Sequence, residues 1–152
     1  MTDQVVSHAT FTLERVFPVP PARVFAAWAD PALKARWFVG PEGWTEIERS
    51  SDFREGGRER AVGRWASGLV TTFDAQYHDI VPNRRIVYSY AMHMDERRIS
   101  VSLATIEYLP DGTGTRFRLT EQGAFLDGYE DNGSREHGTA FLIERMGQAL
   151  LE

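Results

Sequence analysis

The chain has 152 residues and a mass of 17.3 kDa, the size of one domain with one core, and its 42% hydrophobic content is too high for a disordered chain. Seventeen basic residues against twenty-two acidic ones give a net charge of −5 and a pI near 5.4, which argues against nucleic acid or an anionic membrane surface as partner. With no cysteine, disulfides, thiolate nucleophiles, zinc ribbons and iron–sulfur ligation are excluded.

Met1 to His8 is short and polar, with no basic segment running into an apolar one, so no secretory signal is expected. Thr10 to Phe17 then alternates Phe11, Leu13, Arg15 and Phe17 with Thr10, Thr12, Glu14 and Val16, the period of a strand. Pro20-Pro21 opens a short helix with Val24, Phe25 and Trp28 on one face. The apolar run Val24–Ala29 spans six residues, against the roughly 20 that cross a bilayer. A soluble, cytoplasmic chain follows as the expectation. Asp30-Pro31 caps a second short helix, expected over Ala32 to Trp37.

Strands separated by turns follow. Thr45 to Ser50 reaches the permissive Arg54-Glu55-Gly56-Gly57 turn, Arg58 to Trp65 returns, and Ala66-Ser67-Gly68 turns again. Leu69 to Val81 alternates, Pro82-Asn83 turns, and Ile86, Tyr88, Tyr90, Met92 and Met94 share one face of the next strand. Met94 to Arg97 make a charged turn before Ile99, Val101 and Leu103. Pro110-Asp111-Gly112-Thr113-Gly114 reads as the strongest turn, and Thr115 to Glu121 carries Phe117 and Leu119 on one side. After a polar loop, Asp127 to Gly133, the period changes to that of a helix. Ser134 is its expected cap, Leu142, Met146 and Leu150 its apolar stripe, and its end lies near Leu151. Gly138 and Gly147 inside it point to a close approach or to space left open, because glycine costs about 1 kcal/mol there relative to alanine. This order predicts an α+β protein in one domain over residues 1–152: an antiparallel sheet with one long helix laid across it.

Four stretches carry a family resemblance. They are Val24-Phe25-Ala26-Ala27-Trp28-Ala29-Asp30-Pro31 with Arg36-Trp37-Phe38, Asp52-Phe53-Arg54-Glu55-Gly56-Gly57, Tyr77 to Tyr90 with its Pro-Asn turn, and Leu119-Thr120-Glu121-Gln122-Gly123-Ala124-Phe125 with Arg135-Glu136-His137-Gly138-Thr139. In this order they make the chain resemble the helix-grip (START/Bet v 1-like) superfamily, and within it the stand-alone bacterial proteins related to the C-terminal domain of the activator of Hsp90 ATPase. The resemblance implies a curved antiparallel sheet of about seven strands wrapped around a long C-terminal helix, two short helices after the first strand, and a cavity between sheet and helix. Relatives include lipid and polyketide binders, cyclases, resistance proteins and a co-chaperone domain, so the fold does not fix the function.

Such a cavity needs an apolar lining, and the sequence offers Trp37, Phe38, Trp44, Phe53, Trp65, Phe73, Tyr88, Tyr90, Phe117, Phe125, Phe141 and Leu142, with Met92 and Met146 as adaptable fillers. For any one of them plain core packing is the default reading, since most buried aromatics are structural. Arg15 shares a strand face with apolar residues and needs a carboxylate partner there, for which Glu121 is proposed as a buried structural pair. The four histidines, His8, His78, His93 and His137, have no metal-ligand spacing, so no metal is expected, and no cofactor fingerprint is present. The leading expectation is a protein that holds a small, largely apolar ligand in the cavity, as monomer or homodimer. A cyclase- or hydrolase-type enzyme is second, with His78, Glu121 and Tyr88 as acid–base candidates. A co-chaperone-like interaction domain is third, because these residues include no counterpart of the co-chaperone's separate N-terminal domain.

Overall fold

The computed structural model describes residues 5–152; residues 1–4, the start of the polar N-terminus, lie outside the described residues. In chain order the elements are β1 (Val6–Phe17), α1 (Pro21–Ala29), α2 (Pro31–Lys34), β2 (Thr45–Ser51), β3 (Arg58–Arg64), β4 (Val70–Val81), β5 (Arg85–Met94), β6 (Arg97–Asp111), β7 (Gly114–Leu126) and α3 (Ser134–Leu150). The strands form one curved antiparallel sheet of seven, ordered β1-β7-β6-β5-β4-β3-β2. This is the α+β helix-grip architecture the sequence predicts.

Local chemistry sets the boundaries. Prolines at the first helical positions start α1 and α2, and the Asp30 carboxylate caps α2 by accepting the Ala32 N–H at 2.9 Å. Three expectations shift. α2 ends at Lys34, short of Trp37. Pro110 and Asp111 lie inside β6, and the reversal is made by Gly112 (φ +60°) with Thr113. Ser134 is the first residue of α3 rather than its cap: Gly133 precedes it in the left-handed conformation, and the Asp131 carboxylate accepts the Arg135 N–H at 2.9 Å.

The inner face of the sheet and α1 meet α3 in a core that includes Phe17, Phe25, Trp28, Ile86, Ile106, Tyr108, Phe117, Ile143, Met146 and Leu150. The buried stripe of α3 is therefore Ile143, Met146 and Leu150, with Leu142 only partly buried. Its two glycines do different things. A Cβ on Gly147 would sit 2.8 Å from Cε1 of Phe17, so this turn of the helix presses onto β1. Gly138 has nothing within 4 Å and borders open space. The second half of α3 thus closes on the sheet, while the first half stands away from it.

Candidate functional site

A cavity of about 450 Å³ fills that gap, bounded by α3 from Ser134 to Ile143, the inner faces of β3, β4, β5 and β7, and the segment Trp37–Trp44. Aromatic packing builds its wall. Trp37 is fixed by donating its indole N–H to the Ala27 carbonyl at 2.9 Å. Phe38 meets Phe73 edge-on at 5.0 Å between ring centres, and Phe73 lies against Tyr90 at 4.9 Å. Trp44 occupies the space where Gly40 and Gly63 would otherwise carry a Cβ, so only glycine at both positions admits its ring. All four tryptophans, Trp28, Trp37, Trp44 and Trp65, line this one cavity.

One end is polar. Glu121, on β7, is 2% exposed and accepts the Tyr90 hydroxyl at 2.8 Å through Oε2, with an Arg135 nitrogen 3.7 Å from the same oxygen. Its Oε1 makes no hydrogen bond to the described residues. Arg135, from the first turn of α3, donates to the Tyr90 hydroxyl at 3.1 Å, to Ser102 at 3.3 Å and to Ser100 at 2.8 Å. Burial pushes the Glu121 carboxyl above the usual carboxylate range, although the Tyr90 hydroxyl and Arg135 pull it down. Burial, then the neighbouring Glu121 charge, raise the Tyr90 phenol, so it stays a protonated donor. The arrangement sets a buried acceptor, a phenol and a guanidinium at the end of an apolar chamber.

Of the residues singled out in the sequence, Trp37, Phe38, Trp44, Trp65, Phe73, Tyr88, Tyr90, Met92, Phe141, Leu142 and Glu121 line the cavity. Phe53, Phe117 and Met146 do not: Phe53 packs edge-on against Phe25 and Tyr77, Phe117 against Phe17 and Tyr108, and Met146 is fully buried beneath them. Phe125 stands outside the lining, stacked on Tyr129 and 5.2 Å from the Arg135 guanidinium, so it supports the polar end. The Arg15–Glu121 pair is corrected. Glu121 lies opposite Phe11, four residues along β1 from Arg15, and Arg15 instead meets Glu144 of α3 at 2.6 Å in a partly exposed pair. Among the acid–base candidates, His78 points out of the sheet to Ser89, and no histidine lines the cavity.

Two features escaped the sequence reading. Arg135 stood inside a motif at the start of α3 but was not singled out, because its role depends on hydroxyls from β5 and β6. The second lies behind the aromatic wall: Lys34, the chain's sole lysine, meets Glu59 at 2.8 Å with both side chains 3% exposed, and the Tyr77 hydroxyl donates to the same carboxylate oxygen. The ammonium also sits 4.3 Å from the Trp28 ring centre and 4.5 Å from that of Phe38. A lone lysine among sixteen arginines was the only signal in the sequence. No described helix is long and apolar enough to cross a membrane.

The model of the family described as activator of Hsp90 ATPase homolog 1-like protein matches residues 18–150. An uncharacterized protein from Rhizobium leguminosarum is 43% identical, with 98% of each chain covered and a TM-score of 0.94. The Mll3558 protein from Rhizobium loti is 46% identical over 95% of this chain and 99% of its own, with a TM-score of 0.88. CalU16 from Micromonospora echinospora, 17% identical with a TM-score of 0.68 over 99% of this chain and 86% of its own, shares the fold. No curated protein matches. The chain belongs to the activator of Hsp90 ATPase homolog 1-like family.

Proposed function

We propose that this member of the family is a binding protein for a small, largely apolar ligand, held between the sheet and the first half of α3. The observation that carries the reading is the cavity itself. Its volume of about 450 Å³ falls among ordinary ligand pockets, and its lining is mostly aromatic and aliphatic with a few polar groups gathered at one end. A solid core would have been reached by closing α3 along its whole length. Gly138 with nothing opposite it, and Phe141 left 46% exposed beside the cavity, are what a helix spaced for an occupant presents. The family supports the same reading, since its members commonly bind hydrophobic ligands.

Native mass spectrometry of gently purified protein tests it, together with thermal shifts across a library of small apolar and aromatic compounds. A bound mass that is lost on denaturation, or a shift that grows with ligand concentration, is the expected result. An apo mass from every preparation with no shift across the library overturns the reading.

A further inference from the structure

We infer that the polar end of the cavity selects a neutral ligand whose head group donates a hydrogen bond, a phenol or alcohol on an aromatic or aliphatic body, and that Glu121 receives that hydrogen. The inference rests on the ligand-binding reading above and adds to it the chemistry of the head group. Its first support is Glu121 itself. A carboxylate 2% exposed, lining an apolar cavity and using only Oε2, keeps a strong acceptor in Oε1 with no protein partner among the described residues. Oε1 is not one of the buried unpaired side-chain atoms, so it opens to the cavity, where a donor from the occupant reaches it and makes a charge-assisted hydrogen bond.

The second support is the charge count. Glu121 and Asp131 both line the cavity, and Arg135 is the one guanidinium set among them. Its terminal nitrogens already serve Tyr90, Ser100 and Ser102. Its backbone N–H is held by Asp131. A ligand carboxylate or phosphate would bring a third negative charge to two carboxylates and one cation, in surroundings of low polarity where repulsion is poorly screened. An apolar head group would leave Oε1 unpaired. A neutral donor satisfies the carboxylate without adding charge, and the neighbouring Tyr90 hydroxyl and Arg135 fix the direction from which it is approached.

Four naphthalenes that share one body test this: 2-methylnaphthalene, 2-methoxynaphthalene, 2-naphthol and 2-naphthoate, titrated into the full chain at pH 7.5 by ligand-observed saturation-transfer NMR. A hydrogen bond to a charged group makes 2-naphthol bind about tenfold or more tighter than the methyl and methoxy compounds, with 2-naphthoate weaker than 2-naphthol. In Glu121→Gln the advantage of 2-naphthol falls to about threefold or less, while 2-methylnaphthalene binds within about twofold of its original affinity. The ranking on the unsubstituted chain decides the matter even if that variant does not fold. If 2-methoxynaphthalene equals 2-naphthol, or 2-naphthoate is the tightest of the four, the head-group inference is overturned while binding by 2-methylnaphthalene leaves the ligand reading standing. Absence of binding by all four, with no bound mass in native spectra, removes both.

Discussion

Lys34→Met isolates the ion pair behind the cavity wall. The substitution keeps length and apolar volume, so packing changes little, but it leaves the Glu59 carboxylate in the interior with the Tyr77 hydroxyl as its remaining polar partner. It also strips the ammonium from the rings of Trp28, Phe38 and Phe73, 4.3, 4.5 and 5.8 Å away. Removing one partner of such a pair costs about 3–5 kcal/mol, and at a urea slope of about 2 kcal/mol/M the unfolding midpoint falls by about 1.5–2.5 M. Glu59→Gln should cost less, because the ammonium keeps its three aromatic neighbours and an amide oxygen, and a desolvated cation over a ring is worth about 2 kcal/mol. Because Trp28, Phe38 and Phe73 face Lys34 as well as lining the cavity, the same variant should weaken ligand binding. Urea unfolding of both single variants and of Lys34→Met/Glu59→Gln gives the coupling. A loss below about 1 kcal/mol for Lys34→Met, or coupling near zero, would refute the reasoning.

Leu142→Trp and Phe141→Trp fill the cavity from α3: both should reduce ligand uptake with less than the roughly 1–3 kcal/mol loss that overpacking a solid core brings, as read by thermal shift and denaturant unfolding. Arg15→Ala should cost at most about 1 kcal/mol, the worth of an exposed pair, and a loss near 4 kcal/mol would restore the buried role expected from the sequence. Glu121 carries a pH signature. Its carboxyl is raised in the folded chain, so the native state holds the extra proton. Its contribution to stability therefore falls as pH rises from the ordinary carboxylate pKa through the raised one, and stays low above it. The stability of the unsubstituted chain relative to Glu121→Gln should decline as pH rises above the ordinary carboxylate pKa of about 4.3. A difference that is flat or rises with pH in urea titrations contradicts the assignment, Tyr90, Arg135 and Asp131 being the charged or titratable neighbours common to both proteins.

The sheet was legible because most of its strands turn one face inward and the other outward, so Ile86, Tyr88, Tyr90 and Met92 announce their side by alternation, whereas β2, with no buried residue, is set by its turns. Phe73, Tyr88 and Tyr90 of the cavity wall followed from the same pattern, whereas Trp37, Phe38 and Trp44 lie between α2 and β2, where no alternation places them. Alternation assigns a face but not a position along it. Arg15 and Glu121 therefore looked like neighbours although the β1–β7 register sets them four residues apart, within reach of different parts of α3. For the same reason Phe117 and Phe73, equally inward on their strands, end up in core and cavity respectively; where α3 touches down decides which, and that depends on Gly147 against Phe17. Lys34 and Glu59 lie in different elements, a helix and a strand, with no periodic signal joining them. Only the three-dimensional approach of α2 to β3 reveals that the pair exists.

The sheet order also governs how the chain can assemble. β2 through β7 join neighbour to neighbour through short reversals, and each new pairing closes only a local loop. β1 is different: Val6 pairs with Leu126 and Phe17 with Thr115, so the first strand meets its only partner in the sheet about a hundred residues later. The entropy of closing so long a loop places this pairing late and slows completion of the fold. During synthesis β1 therefore emerges first and waits longest, with Phe11, Leu13 and Phe17 uncovered until β7 and then α3 have left the ribosome, and that interval is when the nascent chain is most open to aggregation.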